Sequence, residues 1–206
     1  ACAPFRRLNL CVRNLENISA LDKINNDTLL ADVCLAALHE GAAISSDHGK
    51  YQETNDSSQL CTMLARSFAD IGDIVRGKDL YLGDNGKDRL ENKLKEIFAK
   101  IHKEVTSTRG KNMQALQTRY GGDPNYYQLR EDWWEANRKD VWKALTCSDK
   151  LRDASYFRPT CGSDEKHSTL ASNKCRCDKD KGAKADQVPT YFDYVPQYLR
   201  WFEEWA

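Results

Sequence analysis

The residues of this chain best suited to covalent or metal chemistry are eight cysteines and four histidines. The cysteines stand at Cys2, Cys11, Cys34, Cys61, Cys147, Cys161, Cys175 and Cys177, and no two of them form a CxxC pair. That spacing argues against a thioredoxin-like redox motif and against a zinc ribbon of paired knuckles. Cys161, His167, Cys175 and Cys177 fall within 17 residues and supply three thiols and an imidazole, a zinc tetrad by ligand type though not by knuckle spacing. Structural disulfides account for the same residues more simply, and they imply an oxidising, extracellular setting. Eight cysteines allow on the order of a hundred full pairings, so the residues alone fix none of them.

A catalytic reading finds little to stand on. His39, His48, His102 and His167 are scattered. The chain holds no GxSxG elbow, HExxH helix, phosphate-cradling glycine loop or dinucleotide fingerprint. We expect no enzyme and no cofactor.

Charge is balanced, with 31 basic and 31 acidic residues, so no net field draws the chain to nucleic acid or to a membrane. Local patches differ. Residues 1 to 13 carry Arg6, Arg7 and Arg13 with no acid, and residues 99 to 120 carry Lys100, Lys103, Arg109, Lys111 and Arg119 against Glu104 alone. Such runs are commonly solvated faces, yet clustered Arg and Lys are also what holds a polyanion, with strong salt dependence. A third, lysine-rich stretch (Lys174, Arg176, Lys179, Lys181, Lys184) is offset by neighbouring aspartates and reads as a solubilising loop. Trp133, Trp134 and Trp142 offer a carbohydrate platform, but at helical spacing tryptophans more often pack cores. Trp133 and Trp134 are adjacent, so we expect that they do not both face inward.

The elements that must position these groups are helical. Leu29, Leu30, Val33, Cys34, Ala37 and Leu38 form one apolar stripe, capped by Asp27 or Thr28 and stopped at Gly41. A second stripe, from a Ser58 cap, carries Leu60, Cys61, Leu64, Phe68, Ile71 and Val75. After a turn at residues 83–86, Leu90, Leu94, Ile97, Phe98, Ile101 and Val105 define the clearest helix. A tryptophan-rich helix spans about 127 to 147, and Val195, Leu199, Phe202 and Trp205 start a last one with Pro196 near its first turn. Residues 148 to 189 read as loop, and no strand alternation appears. No run approaches the roughly 18 to 20 apolar residues that span a bilayer. The abrupt ends suggest a piece excised from something larger.

Four blocks then line up in order. They are residues 2–11 (CAPFRRLNLC), residues 60–77 (LCTMLARSFADIGDIVRG), residues 130–147 around Trp133-Trp134, and residues 193–205 (DYVPQYLRWFEEW). Together they resemble the Duffy-binding-like α domain of the malaria parasite's erythrocyte membrane protein family. The resemblance implies an all-α, disulfide-stabilised helical bundle with long loops. It implies a loop-rich first subdomain over 1–56, a helical second subdomain over 57–160, and over 161–206 a cysteine-rich loop with the start of a third. By the same resemblance Cys61 pairs with Cys147, closing a loop of about 86 residues worth on the order of 4 kcal/mol. Cys2, Cys11 and one of Cys175 or Cys177 lack partners inside this chain. The stripe of Tyr194, Tyr198 and Trp201 packs against the third subdomain.

The implied function is adhesion at the extracellular face of the infected erythrocyte, through a host cell-surface receptor or glycan. Rosetting or cytoadherence, heparan sulfate-like polyanions, blood-group sugars, antibodies and adjacent domains of the parent adhesin are the expected partners. A structural spacer presenting a neighbouring domain, and a zinc module, are the alternatives.

Overall fold

The apolar periods of the sequence become helices in the computed structural model, which describes residues 2–48, 57–81, 89–107, 113–162, 168–177 and 187–206. Two short turns, α1 (Phe5–Leu8) and α2 (Arg13–Glu16), lead into the long helices α3 (Asn26–His48), α4 (Ser57–Arg76) and α5 (Arg89–Ser107). Then follow α6 (Met113–Tyr120), α7 (Tyr127–Leu145) and, after a long connection, α8 (Gln197–Trp205). The expected turn at 83–86 lies outside the described residues.

Helix α3 starts one turn earlier than its apolar stripe. Asn25 is its N-cap: the Asn25 side chain accepts from the Thr28 N–H at 2.9 Å, and the Thr28 hydroxyl accepts from the Asn25 N–H at 2.8 Å. This reciprocal pair satisfies two orphan amides, which neither Asp27 nor Thr28 as cap would do. The helix also continues through Gly41, contrary to the expected stop. Gly41 is there for close approach: a Cβ on it would stand 1.8 Å from the Leu145 carbonyl oxygen of α7. By composition residues 26–47 are long and apolar enough to cross a membrane, with mean hydropathy 1.3. In the fold this stretch is a core helix, packed on α2, α4 and α7, with Leu29, Val33, Ala36 and Ala37 fully buried.

Helix α7 is flanked on more than one side, which overturns the expectation for its paired tryptophans. Trp134 packs against Phe68 of α4, ring centroids 5.1 Å apart, while Trp133 meets Phe98 of α5 edge-on at 6.1 Å. Both are buried, since two neighbouring helices cover faces about 100° apart. Trp142 takes a third position against Phe68 and donates its indole N–H to the Cys175 carbonyl at 3.1 Å.

The stretch 148 to 189 holds more order than its composition suggests. Strands β1 (Pro159–Cys161) and β2 (Thr169–Leu170) pair antiparallel, Cys161 opposite Thr169. The chain is stapled here by Cys61–Cys175 and Cys161–Cys177. Cys61 therefore does not pair with Cys147. The Cys61 side chain lies on the buried face of α4, whereas Cys147 lies exposed just past the end of α7. The Cys147 carbonyl accepts from Lys174, so the expected pairing misses by one neighbour in space. The same two bonds consume three of the four zinc candidates, Cys161, Cys175 and Cys177, and remove the zinc alternative; His167 lies outside the described residues. Cys2, Cys11, Cys34 and Cys147 are unpaired thiols. Burial, with the nearby Glu40 carboxylate, pushes the Cys11 thiol up to about 11.

Both ends of the chain are held by buried charge. Asp70 of α4 accepts from Arg6 at 2.6 Å, Arg200 at 2.7 Å, Gln197 at 3.1 Å and the Trp201 indole at 3.3 Å. Burial alone would push the Asp70 carboxyl up, but Arg6 and Arg200 together hold it below its ordinary value. One turn on, burial prevails over Arg200 and Arg76 and raises the Asp73 carboxyl to about 6. Asp193 receives both the Arg138 guanidinium, at 2.7 and 2.8 Å, and the Trp134 indole at 2.8 Å. Trp201 thus faces inward, contrary to the expectation of an outward stripe, while Tyr194 and Tyr198 are exposed.

Two tests follow from this packing. Replacing an interior helical glycine by alanine ordinarily stabilises a helix by about 1 kcal/mol. Gly41→Ala should instead destabilise by about 3 kcal/mol, because the obstacle is backbone and cannot rotate away; urea unfolding checks the sign. Peptide mapping of the oxidised chain should recover Cys61 linked to Cys175 and Cys161 to Cys177, and Cys147 alkylatable without denaturant.

Candidate functional site: a mixed-charge cleft

A chain with as many acids as bases presents a cationic site only where some bases escape pairing. Most of the sequence-predicted basic residues do not escape. Arg6 forks onto Glu204 at 3.0 and 2.9 Å and also reaches Asp70 and Ser67. Arg7 pairs with Asp79 through two nitrogens, and its guanidinium lies over the Tyr81 ring at 5.1 Å. Both are taken inward, so neither forms the expected surface patch: the absence of acids nearby in sequence does not prevent acids from arriving in space. Arg119 is bound bidentate by Asp132 at 2.6 and 2.7 Å. Lys100 donates to the Leu21 carbonyl. Lys103 is exposed, and Arg109 and Lys111 lie outside the described residues. The expected patch at 99–120 is therefore largely spent on internal contacts. In the third stretch, Lys174 pairs with Asp149 at 2.8 Å and Arg176 donates to Thr146 and Lys143.

Arg13 has a different environment. It lies on the rim of a cleft of about 750 Å³ between the N-terminal turns, the 77–81 connection and the starts of α5 and α7. The floor is apolar, from Leu10, Val12, Ile74 and Leu90, all buried. One wall is the Arg7–Asp79 pair; another is Glu91, held by Arg130 through two 2.8 Å bonds. Arg130 itself is fully buried and donates to the Val75 and Ile74 carbonyls at 2.6 and 3.0 Å, so it closes the C-terminus of α4.

The connection is shaped by Gly77. Its N–H bonds the Ile74 carbonyl and the Lys78 N–H bonds the Asp73 carbonyl, a Schellman ending that needs the positive φ of 73° found there. That turn delivers Asp79 and Tyr81 to the cleft. On the other side Asp123 caps α7, accepting from the Asn125 and Tyr127 amides at 2.9 and 2.6 Å, and this sets Tyr127 at the rim. Arg89 and Lys95, both from α5, complete the cationic edge. The sequence reading missed these two because the regular helix period made them look like an ordinary solvated face. Among the described residues neither Arg13 nor Arg89 has an ion-pair partner, and Lys95 reaches Glu91 only at 4.0 Å.

A separate exposed surface runs along α8, where Tyr198, Leu199, Phe202 and Trp205 face out, with Phe5 edge-on to Trp205 at 6.0 Å. It is apolar where the cleft is charged.

Comparison with known proteins places this geometry. The Duffy binding domain model matches residues 1–200. Over 211 residues the chain is 26% identical to the Duffy receptor beta form of Plasmodium knowlesi, and over 214 residues 24% identical to the Duffy receptor of Plasmodium vivax. It spans its own full length in both matches but 14% and 15% of those receptors. Among solved structures it is similar to the NTS-DBL1(α-1) domain of Plasmodium falciparum membrane protein 1 from the varO strain. That match has 42% identity and a TM-score of 0.74, covering all of this chain and 43% of that one. It is also similar to a DBLβ domain of the same protein class bound to human ICAM-1, at 32% identity and TM-score 0.67, covering 97% of this chain and 38% of that one.

The contrast between paired and unpaired arginines is measurable. Arg6→Ala should cost about 3 kcal/mol in urea unfolding, because it strips one partner from buried Asp70. Arg13→Ala should stay within about 0.5 kcal/mol, as for any exposed side chain with no partner to strand.

Proposed function

The chain belongs to the Duffy binding domain family, and from that membership we propose that it is an extracellular adhesion module of a malaria-parasite surface protein that binds a host-cell receptor. Domains of this family are receptor-binding modules and not enzymes. The observation that carries the reading is the combination of that membership with a scaffold locked at both ends of the chain. A relative of the same fold is bound to human ICAM-1, which supports recognition of a protein on the host surface. A standard protein interface occupies about 800 Å² per partner, a small part of the 12032 Å² surface of this chain. Adhesion then arises by surface complementarity, with no bond made or broken. Rosetting through sulfated or blood-group sugars, at the face of the infected erythrocyte, is the finer form of this proposal.

The α8 stripe favours a second role for another part of the surface. Phe202 is 74% exposed and Trp205 53%, beside Tyr198 and Leu199. A contiguous apolar patch of this kind marks an interaction surface. We propose that it packs against an adjacent domain of the parent protein. As a spacer only, the domain would make no receptor contact of its own.

The oxidised domain should bind uninfected red cells in a flow-cytometric assay, and binding should fall after enzymatic removal of surface sulfated glycans. Absence of cell binding by correctly disulfide-bonded material rejects the adhesion reading in favour of the spacer.

A further inference from the structure

We propose that Gln197 couples the seating of α8 to the wall of the cleft, so that a neighbour packed on the outer face of α8 also steadies the N-terminal turn and the 77–81 connection. The inference rests on the adjacent-domain reading for what loads α8, and on the hydrogen bonds of this chain for how the load travels. Helix α8 is amphipathic the wrong way round for a surface helix. On its inner face Gln197 and Arg200 are buried beside Trp201, while Tyr198, Leu199, Phe202 and Trp205 face out. What seats it is therefore directional: Arg200 bonds Asp70 and Asp73, and the Trp201 indole bonds Asp70. Apolar packing tolerates a small slide, whereas hydrogen bonds weaken steeply as distance and angle drift. A shift of α8 is felt on its inner face as broken bonds.

Gln197 sends that shift toward the cleft. Its Nε2 donates to Asp79 Oδ1 at 2.7 Å and to Asp70 at 3.1 Å, and its Oε1 accepts from the Leu80 amide at 2.6 Å. The partners fix which way the amide points, because an ionised carboxylate only accepts and an N–H only donates. The same Asp79 Oδ1 accepts from Arg7 Nε at 3.1 Å, and the Arg7–Asp79 pair is a wall of the cleft. Withdrawing Gln197 strands the Leu80 amide and strips Asp79 of a donor, which loosens the grip on Arg7. By linkage the effect runs both ways, so loosening Arg7 also loosens α8. A second tether is present: Arg6, one residue before Arg7, bonds Glu204 and Asp70.

Hydrogen–deuterium exchange of the whole oxidised chain reads the coupling and separates the two routes. Arg7→Ala, made at the cleft, should speed exchange of the α8 amides severalfold relative to α3, which lies off the relay. In a Gln197→Met background, which keeps an unbranched side chain and loses the amide, Arg7→Ala should add nothing further. Where that background does not fold, Asp79→Asn takes its place, since the relay passes through that carboxylate. Arg13→Ala, on the same rim with no bond toward α8, should leave α8 as in the wild type. Thermal melts establish that each variant is folded. The relay is rejected if Arg7→Ala leaves α8 unchanged or speeds α3 equally, or if Arg13→Ala loosens α8 as much. It is also rejected if Arg7→Ala acts equally with and without Gln197, since the Arg6 tether then carries the coupling. Hydroxyl-radical footprinting of Phe202 and Trp205 in the parent protein reads the packing by itself. Side chains that stay fully reactive there reject the adjacent-domain reading alone, and the exchange result still decides the relay.

Discussion

A carboxylate buried in α4 needs positive partners, and Asp70 draws them from opposite ends of the chain, Arg6 near the start and Arg200 near the end. Removing an ionised carboxylate from water costs several kcal/mol even after relaxation, so each guanidinium that reaches Asp70 offsets part of that cost and losing either one destabilises the fold. That requirement brings the N-terminal turns and α8 onto the same face of α4. It recurs one turn along at Asp73 with Arg76 and Arg200, and across the bundle at Asp193 with Arg138. Gln197 ties the set together, donating to both Asp70 and Asp79 while its carbonyl accepts from the Leu80 amide. Apolar burial gives the bundle its cohesion; these charges tie the N-terminal turns and α8 to one face of α4.

The disulfides act chiefly on the connection between α7 and α8. Cys61–Cys175 closes a separation of 114 residues and Cys161–Cys177 one of 16. On a loop-entropy account these are worth about 5 and 3 kcal/mol. The long connection before α8 is also held by a two-stranded pair, by Trp142 bonding the Cys175 carbonyl, and by the Lys174 and Cys175 amides donating to the Leu151 and Ala154 carbonyls.

The helices were legible in the sequence because period 3.6 is written in local residue order, and α5 with its stripe from Leu90 to Ile101 is the plainest case. Features that depend on a partner from elsewhere were not. Gly41 looks like a stop in any window of sequence and becomes a contact only when α7 arrives. Trp133 and Trp134 looked incompatible as core residues because one covering helix was assumed where there are two. The pairing of Cys61 failed in the same way: the Lys174 side chain, next to Cys175, reaches the Cys147 carbonyl, and one-dimensional order does not say which thiol faces α4. For the basic residues the error has a direction. Acid-free sequence around Arg6 and Arg7 suggested free charge, but an arginine with no local partner is the one best able to satisfy a remote buried carboxylate.

That last point explains where the remaining positive surface lies. Arginines whose geometry lets them reach Asp70, Asp79 or Asp132 are spent on the fold. Two of those left over are placed by what the fold has already fixed: Arg13 sits six residues beyond Arg7, whose bond to Asp79 anchors the segment, and Arg89 opens α5 two residues before Glu91, which Arg130 anchors. Each free guanidinium is therefore held close to a clamped ion pair, and the two face one cleft. A cation on a rigid mount loses little freedom when it meets an anion, so its contribution to binding is larger than that of a lysine on a loop. The buried network that holds both ends of the chain is in this sense also what aims its unpaired charge.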